Sequence, residues 1–140
     1  MYRSILVATD DSPVANNAVS RAITLAELFG ATLHTLYVID SRLGRTTTTI
    51  EPFRQTGEKA LDEIDRIATS EGVPVMATIE EGRPADTILN YAGTHNIDLI
   101  VLGGKTKSTA ERIFLGNTAE RVVRQAPVSV LVVREEGASE

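Results

Sequence analysis

The chain has 140 residues, a formal net charge of -5 and no cysteine, and its hydrophobic (42%) and charged (24%) fractions are ordinary for a globular protein. This length predicts one domain, placed at residues 1–135, followed by a flexible tail at residues 136–140. An acidic chain without a basic stripe is a poor partner for nucleic acid, because neutralisation of phosphates supplies most of that affinity. The absence of cysteine excludes disulfides and thiolate metal sites and favours a cytoplasmic location. No apolar run approaches the roughly 20 residues that a membrane span requires, so no membrane partner is expected.

The first forty residues predict a strand, a helix and a second strand. Residues 3–9 (RSILVAT) form a nearly continuous apolar run, which is typical of a strand buried on both faces. Ser12 is a favourable N-cap and Pro13 suits the first helical position, so a helix is predicted to begin here and to end at Gly30. Residues 32–39 have the pattern of a second strand.

The middle of the chain continues the alternation of strands and helices after a loop. Residues 40–49 (DSRLGRTTTT) have no periodicity and are predicted to form an exposed loop. A helix is expected from about Ile50 to Gly72, followed by a third strand at residues 73–80. Pro84 then begins another helix, and residues 97–103 form the fourth and most apolar strand.

The last third of the chain has a glycine-rich connection between a strand and a helix. Gly103 and Gly104 form a turn after the fourth strand, and capping-box spacing predicts a short helical turn at residues 109–114. Gly116 precedes the last helix, for which Asn117 is the predicted N-cap. Residues 128–133 (VSVLVV) form the fifth strand.

Strands joined through helices predict a parallel sheet with right-handed crossovers. We therefore expect an α/β fold with a doubly wound, Rossmann-like sheet of five parallel strands in the order 3-2-1-4-5 and helices on both faces. Asp10 and Asp11 follow the first strand, and Gly103 and Gly104 follow the fourth, so this order brings both pairs to one crevice, where such sheets bind ligands. A helix N-terminus beside a glycine loop favours phosphate.

Four segments carry a resemblance to a known family: ILVATDDSPVANNAV, LYVID, EGRPADTIL and LIVLGGKTKSTAERIFLGNTAERVVRQAPVSVLVV. Along nearly its whole length the sequence resembles the universal stress protein family. The nucleotide-binding branch of that family has a glycine, two residues, a glycine, nine residues, and a glycine followed by serine or threonine. Gly103 and Gly116 stand thirteen apart as in that pattern, but Thr106 replaces the second glycine and Asn117 replaces the serine or threonine.

The resemblance implies that the chain binds ATP, or a related adenine nucleotide such as AMP or ADP, with Mg²⁺. It places the nucleoside against Ala8, Thr9 and Asp10, with Asp10 near the ribose or the metal ion, and the adenine against Val38. The remaining implied contacts, to the ribose and the phosphates, come from the glycine loop and the start of the last helix: Leu102, Gly103, Gly104, Lys105, Thr106, Gly116, Asn117 and Thr118.

The resemblance also implies a homodimer that regulates a stress response together with an unidentified protein partner. The predicted order makes residues 128–133 an edge strand, and an apolar edge is an aggregation hazard unless it is paired, most simply with a second copy. Substantial catalysis is not expected, because no general base stands beside a nucleophile in the sequence. Two alternatives stay open: a nucleotide-free interaction scaffold, which Thr106 favours, and a slow hydrolase or autophosphorylating protein.

Asp10 and Asp11 could also indicate a response-regulator receiver, but the residues at the ends of the third and fifth strands exclude that class of protein. Response-regulator receivers also carry two acidic residues after the first strand, where they hold Mg²⁺. They further need an aspartate after the third strand and a lysine after the fifth. This chain has Glu80 and Glu81 at the first of these positions and Arg134 and Glu135 at the second.

Overall fold

A computed structural model of the protein describes residues 1–42, 47–104, 107–108, 113–114 and 116–134. The chain alternates between strands and helices. The strands of the main sheet are β1 (Ser4–Thr9), β2 (Thr32–Asp40), β3 (Val75–Gly82), β4 (Leu99–Gly104) and β7 (Ser129–Arg134), and the helices are α1 (Pro13–Phe29), α2 (Thr47–Ser70), α3 (Pro84–Thr94) and α4 (Asn117–Gln125). The short strands β5 (Lys107–Ser108) and β6 (Ile113–Phe114) pair with each other in antiparallel fashion.

The main sheet is parallel and has the order β3-β2-β1-β4-β7, so the predicted doubly wound fold and its strand order are confirmed. Helices α1 and α2 pack on one face of the sheet, and α3 and α4 pack on the other, each with its own buried apolar cluster. Strand β1 lies at the centre of this arrangement. Among the described residues, no helix is both long enough and apolar enough to cross a bilayer.

The predicted bounds of α1 are confirmed because its capping residues act locally. The Ser12 side chain accepts a hydrogen bond from the backbone N–H of Ala15 at 3.3 Å, and Pro13 is the first helical residue. Gly30 ends the helix in the left-handed conformation, with φ 64° and ψ 37°. The chain therefore leaves β1 and turns back along the sheet within a few residues.

The predicted loop at residues 40–49 is wrong at its C-terminal end, where α2 begins. The helix begins at Thr47, so Thr47, Thr48 and Thr49 are helical, while residues 43–46 lie outside the described part of the chain. Threonine has only a weak preference against helix. Tertiary packing overrides that preference, since α2 is 24 residues long and buries an apolar face against the sheet.

Four predictions from the end of β4 onwards also need correction. Gly103 and Gly104 do not form a turn after the fourth strand but are its last two residues, because their backbone pairs with Val133 and Arg134. Ile113 and Phe114 form a strand rather than part of a helical turn, because their backbone pairs with Lys107 and Ser108, while residues 109–112 are not described. Asn117 is the first residue of α4 rather than its N-cap, a position that Gly116 occupies. The last strand begins one residue later than predicted, at Ser129.

Thr35 provides a test of the core under the α1 and α2 face. Its side chain is fully buried, and its Oγ1 is the one buried side-chain polar atom without a hydrogen-bond partner in the described part of the chain. Thr35→Val is expected to raise the free energy of unfolding by about 1 kcal/mol or more, because an unsatisfied buried hydroxyl is removed. Urea unfolding measures this difference.

Thr9 is the matched control for that substitution. It is also almost fully buried, but its Oγ1 accepts a hydrogen bond from the backbone N–H of Asp11 at 3.0 Å. Thr9→Val is therefore expected to lower the free energy of unfolding by about 1 kcal/mol. If Thr35→Val destabilised the protein as much as Thr9→Val, the Thr35 hydroxyl would have a partner in solution.

A buried histidine on the opposite face of β2 makes stability depend on pH. The His34 side chain is only 5% exposed, and its Nδ1 is hydrogen-bonded to the Tyr91 hydroxyl at 2.7 Å. The His95 ring stacks on Tyr91, and Glu80 is the further charged group near that hydroxyl. Burial, with a smaller contribution from His95, lowers the pKa of His34 below its ordinary value of 6.5.

The protein is expected to lose stability as the pH falls from about 7.5 to about 5.5. The fold holds His34 neutral more strongly than the unfolded chain does, so this stabilisation is complete above pH 6.5 and is lost as the pH falls below that value towards the lowered pKa. The slope for one group is at most about 1.4 kcal/mol per pH unit. In His34→Gln the difference in unfolding free energy between the two pH values should shrink, and an unchanged difference would assign the pH dependence to other groups.

Candidate functional site

One cleft lies where β1, β2 and β4 end and where α1, α3 and α4 begin. Its volume is about 290 Å³. Its lining includes the following predicted site residues: Ala8, Thr9, Asp10, Val38, Leu102, Gly103, Gly116, Asn117 and Thr118. Gly104 is buried at the end of β4 and is not part of this lining, and Lys105 and Thr106 lie outside the described residues.

The cleft also contains residues that were not predicted as site residues. They come from the first two turns of the three helices or from the N-cap of α1: Ser12, Val14, Ala15, Pro84, Ile88 and Ala119. In a parallel doubly wound sheet, every helix that follows a strand begins at the same edge of the sheet. The helix starts predicted at Ser12, Pro84 and Gly116 were therefore the signal that could have found them.

In the turn between β1 and α1, side chains of the turn accept hydrogen bonds from its backbone N–H groups. The backbone N–H of Ser12 donates to Oδ1 of Asp10 at 3.0 Å, and the N–H of Asp11 donates to Oγ1 of Thr9. Asp11 has a left-handed backbone with φ 65°. Because the Ser12 side chain also caps α1, amides at this helix start already have partners within the protein.

The start of α4 is different, since no side chain of a described residue caps it. Its N-cap is Gly116, with φ 88° and ψ 153°, a backbone conformation that is essentially restricted to glycine. Asn117, Thr118 and Ala119 form the first turn of α4 and line the cleft. Amides of a first helical turn have no partner within the helix, and together with the helix dipole they favour an anion.

The other side of the cleft is apolar. Val38 from β2, Leu102 from β4, and Pro84 and Ile88 from α3 contribute to it. Pro84 is the first residue of α3 and has no N–H, so this helix start offers one amide fewer than α4 does. The cleft therefore combines an apolar wall with an anion-favouring helix start, which suits a ligand that has a flat apolar part and a phosphate.

Gly103 has a packing role that the glycine pattern does not reveal. A Cβ atom at this position would lie 2.7 Å from the carbonyl oxygen of Val14 and 2.9 Å from its carbonyl carbon. Contacts this short would force backbone to move, so only glycine lets the end of β4 approach the first turn of α1. Because Val14 and Ala15 line the cleft, this approach also sets the shape of the site.

The cleft offers too few metal-binding side chains for a site that holds a metal ion by itself. It is better suited to a metal ion that is bound together with a ligand. Asp10 is the single charged residue in the described lining. No group of three or more histidine, aspartate or glutamate side chains that could hold a metal lies within the described part of the chain. Mg²⁺ is commonly held by one or two carboxylates, waters and substrate phosphates, and a lone aspartate suits that kind of coordination.

The sheet order and the position of the cleft define a doubly wound, Rossmann-like α/β protein. The model of the universal stress protein family matches residues 1–134. A universal stress protein of Methanocaldococcus jannaschii is 34% identical over 142 residues, which cover 96% of this chain and 84% of that protein. The structure of universal stress protein UspA from Lactobacillus plantarum has 31% identity and a TM-score of 0.81, and the match covers 95% of this chain and 98% of that chain. The chain belongs to the universal stress protein family.

Two further solved structures of the family contain nucleotides. One is a universal stress protein in complex with cAMP, with 24% identity, a TM-score of 0.77, and coverage of 96% of this chain and 99% of that chain. The other is the universal stress protein from Archaeoglobus fulgidus in complex with dAMP, with 23% identity, a TM-score of 0.71, and coverage of 94% and 98%. At these identities the likeness to the present chain is one of fold.

Proposed function

We propose that the protein binds ATP or a related adenine nucleotide, together with Mg²⁺, and acts as a homodimeric, cytoplasmic regulator of a stress response. The observation that carries the proposal is the composition of the cleft. An apolar wall of Val38, Pro84 and Ile88 faces the same space as the first turn of α4, which has no side-chain cap. The complexes of more distant family members with cAMP and dAMP support an adenine nucleotide as the ligand.

The residues of the cleft suggest a division of roles. Adenine would pack against Val38, Pro84 and Ile88, since these are apolar and partly or fully buried. The phosphates would accept hydrogen bonds from the amides of Asn117 and Thr118 at the start of α4. Mg²⁺ would shield the phosphates from the negative charge of Asp10.

The departure from the family pattern at position 117 matters little in this arrangement. The pattern has serine or threonine where this chain has Asn117, and Asn117 is the first residue of α4. The backbone N–H at that position is present whichever side chain it carries, and Thr118 supplies a hydroxyl one residue later. Thr106, the other departure, is the residue that favours a nucleotide-free scaffold.

Mass spectrometry of the small molecules released from purified protein separates these two functions. The proposal predicts an adenine nucleotide in the released material, or binding of added MgATP by protein that was purified without it. Protein that carries no nucleotide and does not respond to millimolar MgATP would instead support the scaffold.

The dimer is proposed to form through β7. This strand is the outer strand on its side of the sheet, and Leu131 is 36% exposed there although it belongs to an apolar run. A parallel sheet leaves unpaired backbone groups at such an edge, and a second copy can pair with them under twofold symmetry. Sedimentation analysis should show a dimer for the wild type and dissociation for Leu131→Lys, whereas a monomeric wild type would contradict the proposal.

A further inference from the structure

An ion pair connects the two helices that border the cleft on its α3 and α4 side. Nη2 of Arg121 lies 2.5 Å from Oδ1 of Asp86. Asp86 is in the first turn of α3, two residues after Pro84, and Arg121 follows the first turn of α4. The other ion pairs of the described residues lie within one helix, within one turn, or between α2 and β3, so this pair is the one that joins two helices.

Helix α4 has few other contacts that fix its orientation. It is nine residues long, its buried residues are Ala119 and Val122, and its N-cap is a glycine. Helix α1 is much better anchored, with 17 residues, seven of them buried, and a side-chain cap from Ser12. The position of the first turn of α4 therefore depends on the Asp86–Arg121 pair more than the position of α1 depends on any single contact.

We propose that Asp86 and Arg121 are positioning residues for the ligand in the cleft, an inference that rests on the proposed nucleotide binding. The pair holds the first turn of α4, with Asn117 and Thr118, at a fixed separation from the apolar wall that begins at Pro84. A nucleotide must contact both walls at once, so a cleft that is already set to the right width binds it without a cost for ordering α4.

The pair is half-exposed, with side-chain exposures of 39% for Arg121 and 44% for Asp86. Exposed ion pairs of this kind contribute little to folding stability. A positioning role therefore predicts a larger effect on ligand affinity than on unfolding. This separates it from a purely structural role, which would lower stability and leave the affinity of the folded protein unchanged.

The direction of the effects separates positioning from simple attraction between charges. The phosphates of MgATP are negative, so removal of Arg121 would weaken binding by charge alone, while removal of Asp86 would strengthen it. Positioning predicts that both substitutions weaken binding. It also predicts that the double variant binds no worse than either single variant, because the same contact is lost in all three.

The experiment is a double-mutant cycle measured by isothermal titration of nucleotide-free protein with MgATP. The variants are Asp86→Ala, Arg121→Met, which keeps the aliphatic part of the side chain, and the double variant. Each is expected to raise Kd roughly two- to fivefold, with melting temperatures within about 3 °C of the wild type. Arg121→Lys should restore most of the affinity, because it restores a positive donor to Asp86.

Glu63 and Arg66 provide the matched control. They form another exposed pair, 2.6 Å apart, within α2 and outside the lining of the cleft. The double substitution Glu63→Ala and Arg66→Met should leave Kd unchanged. Tighter or unchanged binding in Asp86→Ala, or additive losses in the double variant, would overturn the inference while nucleotide binding stands. A wild type that does not bind MgATP would overturn both the proposed function and this inference, and the two failures are therefore distinguishable.

Discussion

Gly103→Ala is expected to lower the free energy of unfolding by about 3 kcal/mol. The added Cβ would lie 2.7 Å from the carbonyl oxygen of Val14, and backbone atoms cannot move aside as a flexible side chain can. The first turn of α1 would have to shift away from the end of β4. Urea unfolding measures the loss, and the melting temperature should fall by roughly 10 °C.

Gly93→Ala is the control for the effect of adding a methyl group at a glycine. Gly93 lies in α3, is exposed, and has no heavy atom within 4 Å of the position that a Cβ would take. Alanine is the better helix former, so this variant should be as stable as the wild type or up to about 1 kcal/mol more stable. A Gly103→Ala variant that is also as stable as the wild type would show that α1 and β4 are not closely packed.

Gly116→Ala is expected to reduce the affinity for MgATP at least tenfold, and roughly a hundredfold if the first turn of α4 moves by about 1 Å. The backbone at Gly116 has φ 88° and ψ 153°, which alanine adopts only at a cost of about 1–3 kcal/mol. No heavy atom stands within 4 Å of the added Cβ, so strain in the backbone, rather than a clash, is the cause. The strain is relieved when α4 begins differently, and the amides that are proposed to bind the phosphates are then displaced.

Gly30→Ala is the control that separates the effect of backbone strain on stability from the loss of affinity for MgATP. Gly30 also has a positive φ, 64°, with free space around it, but it ends α1 and is not part of the cleft lining. This variant should lose a similar amount of stability, about 1 kcal/mol, and keep the wild-type Kd for MgATP by isothermal titration. Wild-type affinity in Gly116→Ala would show that the start of α4 is not where the phosphates bind.

The sequence predicted the fold well because the informative signals are local and periodic. Continuous apolar runs are typical of strands that are buried on both faces, and the predicted first and fourth strands became β1 and β4. Ser12, Pro13 and Gly30 fix the two ends of α1 through contacts within a few residues, so their effect does not depend on the rest of the structure. The order of strands then followed from parallel pairing and from two strand ends with polar or glycine residues.

Other features could not be predicted because they depend on residues far apart in the sequence. Threonine at position 47 begins a helix only because α2 packs on the sheet. The packing role of Gly103 depends on Val14, which is far away in the sequence: a Cβ at position 103 would lie 2.7 Å from the Val14 carbonyl oxygen. Asp86 and Arg121 are 35 residues apart, and neither belongs to a motif that indicates a pairing.

The candidate site lies between these two cases. The sequence predicts that the glycine pattern and the end of the first strand meet, and the predicted site residues that the structure describes, apart from Gly104, line a single cleft. The sequence does not predict the apolar wall from α3, although it predicts that Pro84 begins a helix. What each of these residues contacts in a bound ligand stays a prediction.

Nucleotide binding is tested most directly by titrating nucleotide-free wild-type protein with MgATP while its melting temperature is followed. A ligand that binds only the folded state stabilises it by RT ln(1 + [L]/Kd), about 2.7 kcal/mol at a ligand concentration of 100 Kd. The melting temperature should therefore rise with the logarithm of the MgATP concentration above Kd, and isothermal titration should give one site per chain. A folded protein whose melting temperature does not change at millimolar MgATP would contradict the proposal that the cleft binds an adenine nucleotide.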